Sequence, residues 1–244
     1  MLDERKDRYR QIYPVANFLL NRKFDIHVEG TEHIPDQPAI YTPNHIRFED
    51  SLLVAKAFTD ATGNLMRFGA KREYFDGLGI NNDGKNGKLL KWVMESTHQI
   101  PVDREGKDPR AFFKLQAEVA DRTNHGNSVT FHPEGTRSED GRLHKFKDGA
   151  ARIAIALSLP IVPVGLVYDV QSNRRKIDAT VSFGEPIMPE EYTRLPYSAF
   201  PAKLKAQHFI QVAEDRVADL TDMEQSGIFA ILKKHRHHPP HGQK

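Results

Sequence analysis

The 244-residue sequence predicts a single α/β domain, a central mixed β-sheet surrounded by helices, with helical extensions at its two ends. Short runs rich in β-branched and aromatic residues alternate with helical patterns along most of the chain. Hydrophobic residues make up 39%, enough for a sizeable core, and Gly (16) and Pro (15) are near ordinary usage, which excludes collagen-like and wholly disordered chains. No internal repeat is present, so the chain is not an array.

The elements follow in order. In residues 1–24, Tyr9, Ile12, Tyr13, Ala16, Leu19 and Leu20 recur at three- and four-residue spacing, flanked by Arg8, Arg10, Arg22 and Lys23. This spacing predicts a basic amphipathic helix, either lying on an anionic membrane surface or packing its stripe on the domain, with Pro14 kinking it or marking its first turn. Residues 25–190 form the domain body, with strands expected over Phe24 to Val28, Ala39 to Tyr41, Asn64 to Phe68, Gln99 to Val102, Ser128 to Phe131, Ile161 to Val167 and Thr180 to Phe183. A helix is expected to start at the Asp108-Pro109 cap and to align Phe112, Leu115 and Val119, and another follows Gly149. Leu89, Leu90, Trp92, Val93 and Met94, interleaved with Lys88 and Lys91, read as a core helix or an interfacial one. Residues 191–234 form a C-terminal helical extension in which Leu204, Ile210, Ala213, Val217 and Leu220 face the body, and residues 235–244 form a disordered, His-rich tail.

Composition also narrows function. Lys plus Arg (35) nearly balances Asp plus Glu (33), a net charge of +2, which gives no footprint for a dedicated nucleic-acid binder. Cysteine is absent, which excludes disulfides, thiolate metal sites and a cysteine nucleophile. The N-terminus MLDERKDRYRQ lacks an export-signal pattern, so the expectation is a mature chain starting there, in the cytoplasm. The most apolar stretch, Ile153 to Tyr168, is broken by Ser158, Pro160 and Pro163 and falls short of the roughly 20 residues that span hydrocarbon, so it reads as core.

The chemistry-bearing residues fall on loops after expected strands. Asn44-His45-Ile46-Arg47-Phe48-Glu49-Asp50 links a strand to a helix. On a regular helix His45 and Asp50 would lie about 140° apart, so their pairing requires an irregular turn. A carboxylate accepting the Nδ1 proton would orient the ring and leave Nε2 to take a proton from a substrate hydroxyl. Asp50 as a plain helix N-cap is the competing reading. Phe131 to Ser138 ends a second strand, with Gly135 for a tight turn and Thr136 and Arg137 as donors to an anion. Arg104 ends a third strand's run, and Lys71 lies just beyond a fourth. The loop Asn81 to Gly87 lacks the spacing and final Ser or Thr of a phosphate-binding loop and reads as a solvated turn.

Together these pieces resemble the glycerolipid acyltransferase family, PlsC-like, which makes phosphatidic acid from lysophosphatidic acid. Its His-x4-Asp block, arginine block, Phe-Pro-Glu-Gly-Thr-Arg block and Val-Pro-Val block match Asn44 to Asp50, Ile100 to Arg104, Phe131 to Ser138 and Ile161 to Gly165, in that order. Weaker echoes are Ala70 to Phe75, Phe146 to Ala150 and Val181 to Ile187, and the resemblance covers roughly residues 25–190.

The resemblance implies an O-acyltransferase of phospholipid synthesis in which His45 is the general base and Asp50 its orienter. The acyl group comes from acyl-CoA or acyl-carrier-protein thioester and goes to the hydroxyl of 1-acylglycerol 3-phosphate without an acyl-enzyme. Arg104, Glu134, Gly135, Thr136 and Arg137, with Lys71, would bind the acceptor. The cations suit a phosphate, whereas Glu134 is expected to grip a glycerol hydroxyl or hold an arginine. No cofactor or metal is expected. The expected partners are the thioester donor (CoA or a carrier protein), the glycerol-phosphate acceptor and a membrane surface, on the inner face of the cell membrane. Arg47 and the His98-Gln99 approach to Arg104 depart from the family pattern and leave glycerol 3-phosphate or another lipid hydroxyl open as acceptor. A non-catalytic membrane-surface module is the alternative of a different class.

Overall fold

The computed structural model describes residues 6–80, 84–103, 110–170, 175–194 and 197–230. The chain runs α1 (Tyr9–Lys23), β1 (Phe24–Glu29), β2 (Ile40–Pro43), α2 (Asp50–Thr62), β3 (Met66–Lys71), α3 (Arg72–Phe75), α4 (Gly87–Ser96), β4 (Ile100–Val102), α5 (Ala111–Asn124), β5 (Ser128–Thr130), α6 (Gly149–Leu157), β6 (Ile161–Asp169), β7 (Ile177–Phe183), α7 (Glu190–Thr193) and α8 (Ala202–Thr221). All seven expected strands form. The alternation of side-chain direction along them sets which residues enter which half of the core.

One seven-stranded sheet has the order β1-β7-β6-β2-β5-β3-β4. Strands β6, β2, β5, β3 and β4 are mutually parallel, while β7 runs antiparallel to β6 and parallel to β1. Ile40, Val129 and Ile161 point to one face, where they meet Ala151 and Ile153 of α6 and Phe209, Ala213 and Val217 of α8. Tyr41, Val162 and Val164 point to the other, against Leu53, Val54 and Phe58 of α2 and Leu20 of α1. The C-terminal helix is therefore a wall of the core. A Cβ on Gly165 of β6 would come within 2.7 Å of Leu220 Cβ, which shows how closely α8 lies on that strand.

The N-terminal helix packs one face on the domain and leaves apolar residues exposed on another. Tyr9 and Leu20 are buried, while Val15, Phe18 and Leu19 are exposed. Pro14 sits inside α1, beyond the first turn. In α4, Met94 is buried with Leu90 and Val93 packed nearby, whereas Leu89 and Trp92 are exposed. The two helices adjoin: the Arg8 guanidinium lies over the Trp92 ring, 5.8 Å from its centroid. Among the described residues no helix is long and apolar enough to cross a membrane. The Asp108-Pro109 cap and the tail from residue 231 lie outside the described residues.

Beyond α8 the chain turns back along the segment before α6. Leu143 N–H donates to Glu224 O (2.9 Å), Ser226 N–H to Leu143 O (2.8 Å) and Lys145 N–H to Ile228 O (2.9 Å). Buried Glu214 of α8 accepts the N–H of Phe146 at 2.6 Å, so the helix grips the same segment.

Candidate active site

Because β2, β5, β3 and β4 are parallel neighbours, the loops after them emerge on one edge of the sheet, where ligand sites of α/β folds gather. His45 and Asp50 follow β2, Arg137 follows β5 and Lys71 closes β3 in register with Val102 of β4. Arg104, two residues beyond Val102, lies outside the described residues.

The irregular turn between β2 and α2 brings the two halves of the His-x4-Asp block together. His45 Nδ1 and Asp50 Oδ2 are 2.9 Å apart; the Asp50 side chain is fully buried and that of His45 18% exposed. Asp50 is not an N-cap. It stands inside α2, and Oδ2 accepts the upstream backbone N–H groups of Ile46 (2.6 Å) and Arg47 (2.8 Å), while Oδ1 accepts the Tyr168 hydroxyl. Four donors saturate the carboxylate. Burial alone would raise its pKa, but the hydrogen bonds from His45 and Tyr168 hold the carboxyl below its ordinary value. An ionised Asp50 accepts only, so His45 carries its proton on Nδ1 and keeps a lone pair on Nε2.

The loop after β5 holds this turn in place. Glu134 Oε1 accepts the backbone N–H of His45 (2.7 Å), and Ser138 N–H donates to His45 O (2.7 Å), so one loop clasps His45 from two sides. Glu134 Oε2 accepts the N–H of His144 (3.0 Å). The expectation that Glu134 grips a glycerol hydroxyl or an arginine is corrected here: its side chain is completely buried and its two oxygens serve backbone amides. Burial pushes its carboxyl up to about 8, against the two N–H bonds that favour the ion. Gly135, at φ +81°, makes the turn that a side chain would strain, and Lys147 Nζ lies 2.5 Å from where its Cβ would be. Thr136 is half-buried and Arg137 exposed. Arg137 sits close enough to Tyr74 for its charge to oppose the burial that raises that hydroxyl's pKa, and the Tyr74 ring touches Phe48 of the His45 loop, 6.4 Å between centroids. The Arg47 guanidinium is turned onto the Tyr168 ring at 5.2 Å.

Three residues that sequence reasoning passed over complete the arrangement. Buried Asn44 exchanges hydrogen bonds with the backbone of Leu166, Nδ2 donating to its O (2.9 Å) and Oδ1 accepting its N–H (2.7 Å). Tyr168 reaches Asp50 from 118 residues away, with no local signal. His132 stacks on His45, ring centroids 3.9 Å apart at 16°; its signal was its position between Phe131 and Pro133, inside the matched block. His45, Asp50 and His132 offer ligand atoms within 4.8 Å of one another. Near-parallel rings aim their lone pairs side by side and Asp50 is saturated, so the donor set does not converge on a cation.

A family model described as Acyltransferase matches residues 25–167. The chain is 32% identical over 146 residues to the chloroplastic 1-acyl-sn-glycerol-3-phosphate acyltransferase of Arabidopsis thaliana, covering 59% of this chain and 36% of that protein. It is 30% identical over 175 residues to a 1-acyl-sn-glycerol-3-phosphate acyltransferase of Limnanthes douglasii, covering 69% and 56%. The chain thus spans from about a third to just over half the length of these curated relatives. The crystal structure of the 1-acyl-sn-glycerophosphate acyltransferase PlsC of Thermotoga maritima shares the fold at a TM-score of 0.57 and 21% identity, over 90% of this chain and 83% of that one. With the family model spanning well over half of the sequence and the His-x4-Asp pair assembled on the sheet edge, the chain belongs to the acyltransferase family.

Proposed function

We propose that the protein transfers a fatty acyl group from a CoA or carrier-protein thioester to the free hydroxyl of lysophosphatidic acid, forming phosphatidic acid. The observation that carries the reading is the His45 Nδ1 to Asp50 Oδ2 bond with Asp50 fully buried and saturated, which leaves Nε2 as a base. His45 Nε2 takes the acceptor proton as its oxygen attacks the thioester carbonyl; the C–S bond then breaks and the imidazolium proton leaves with the thiol. No covalent enzyme intermediate is needed, in keeping with a chain without cysteine. Arg137, Lys71 and Arg104 supply charge for the acceptor phosphate, Gly135 and Thr136 shape the turn that presents it, and Glu134 supports the loop from behind.

The same reading makes the protein peripheral to an anionic bilayer, on the inner face of the cell membrane. The exposed Val15, Phe18 and Leu19 of α1 and Leu89 and Trp92 of α4, beside Arg22, Lys23 and Lys88, support this face as the one that meets lipid. A thioester-consumption assay with lysophosphatidic acid and with glycerol 3-phosphate, each with acyl-CoA and acyl-carrier protein, tests the reading. Turnover on the first acceptor and none in His45→Ala of unchanged circular dichroism is the expected result; full turnover in that variant overturns it. Liposome flotation without consumption of any thioester would instead identify a binding module.

A further inference from the structure

We propose that His132 is a positioning residue for acyl transfer, a neutral ring pinned at its two edges that holds the His45 imidazole in the plane from which Nε2 meets the acceptor hydroxyl. The proposal rests on the reading of His45 as general base. His132 Nδ1 lies 3.0 Å from Asn44 O, and a carbonyl only accepts, so Nδ1 carries the ring proton. Nε2 therefore accepts from the Ser51 hydroxyl at 2.8 Å. Asn44 immediately precedes His45 and Ser51 immediately follows Asp50, so the two edges of His132 are tied to the neighbours of the two members of the pair. Asn44 is itself fixed to Leu166 by two hydrogen bonds, which gives the clamp a rigid footing on β6.

A single bond to Asp50 leaves the His45 ring free to pivot about the Nδ1 to Oδ2 axis. A flat ring 3.9 Å away at 16° blocks that motion on one face. Proton transfer tolerates little misplacement, with about 1 Å costing on the order of a hundredfold in rate. The clamp also withholds charge: when His45 takes the acceptor proton, a cationic ring stacked on it would repel the imidazolium. His132 stays neutral because both its nitrogens are committed, and burial and the neighbouring His45 push its pKa down to about 3.

The test compares His132→Ala, His132→Phe and Ser51→Ala. The alanine variant is expected to lose about tenfold or more in kcat with acceptor KM within about twofold, and the phenylalanine variant, which keeps a flat ring, to recover at least half of that loss on a logarithmic scale. Ser51→Ala should fall between wild type and His132→Ala. A kcat within about twofold of wild type in the alanine variant, or equal losses in the alanine and phenylalanine variants, overturns the proposal. If His132→Ala does not fold, a near-wild-type kcat in His132→Phe together with a lowered kcat in Ser51→Ala supports the ring as clamp, and a His132→Phe as impaired as His45→Ala, or a Ser51→Ala with wild-type kcat, overturns it. Nitrogen NMR of histidine-labelled wild-type protein reads the clamp without turnover: His132 is expected as the neutral Nδ1–H tautomer near pH 6, and the Nε2–H tautomer or a cation overturns it. Turnover retained in His45→Ala would remove the general-base reading while leaving the NMR result standing, so the two failures are distinguishable.

Discussion

Glu134 binds the backbone of His45, its Oε1 accepting that residue's N–H at 2.7 Å while its own side chain is wholly buried. The most conspicuous carboxylate of the Phe131 to Ser138 block thus acts on the His45 loop from behind. Its other oxygen accepts the N–H of His144, so one side chain joins two loops.

Replacing Glu134 by Gln turns one acceptor oxygen into an NH2 that faces a backbone N–H. The expected loss is about 1–3 kcal/mol of stability, the cost of one buried donor without a partner. Urea unfolding checks the stability, and kcat should fall in parallel because the His45 turn loosens; unchanged midpoint and kcat would contradict this bracing role.

Tyr168→Phe removes the hydroxyl that donates to Asp50 Oδ1. Hydrogen bonds to charged groups contribute about 1.5–3 kcal/mol, so turnover is expected to fall roughly ten- to a hundredfold. The Asp50 pKa should rise, which moves the acid limb of the rate profile upward, and a pH series of kcat/KM reads both effects.

Two desolvated groups, Glu134 and His132, impose opposite pH trends on stability. The His132 pKa is depressed from 6.5 to about 3, so its contribution is present above 6.5 and is lost as pH falls towards 3. The Glu134 pKa is raised from 4.5 to about 8, so its contribution is complete below 4.5 and is lost as pH rises through 8. Melting curves across this range should show a shallower acid decline in His132→Phe and a shallower alkaline decline in Glu134→Gln than in wild type. Curves that stay parallel to wild type would refute both assignments.

Arg137→Ala is expected to raise the acceptor KM roughly ten- to a hundredfold by removing a charge-assisted contact to phosphate, with a smaller effect on the thioester KM. An equal rise for the two substrates would place Arg137 elsewhere in the reaction.

Gly165→Ala should destabilise by about 1–3 kcal/mol, since the added methyl group overlaps Leu220 and α8 must shift. Calorimetry and the tryptic sensitivity of the C-terminal region report it.

All seven strands and the main helices were legible because their signal is local: period, breakers and length. The His45 and Asp50 pair was legible as a spacing, but the turn that closes it depends on amides at Ile46 and Arg47, which the sequence leaves unspecified. Glu134 was located and misread, because a carboxylate in a loop beside Arg137 has the composition of a binding group and only its burial shows what it holds. Tyr168 acts across 118 residues on Asp50, through a contact that exists only after folding. The C-terminal helix was legible as a stripe turned to the body, and Ile210, Ala213 and Val217 of that stripe are buried in the core.

The return of residues 224–228 onto Leu143 and Lys145 gives the fold an order of completion. Those partners flank His144, whose amide secures Glu134, whose other oxygen secures His45. During synthesis His45 and Asp50 leave the ribosome well before residues 224–228, so a nascent polypeptide ending before residue 224 carries the pair without the contacts that brace the loops behind it.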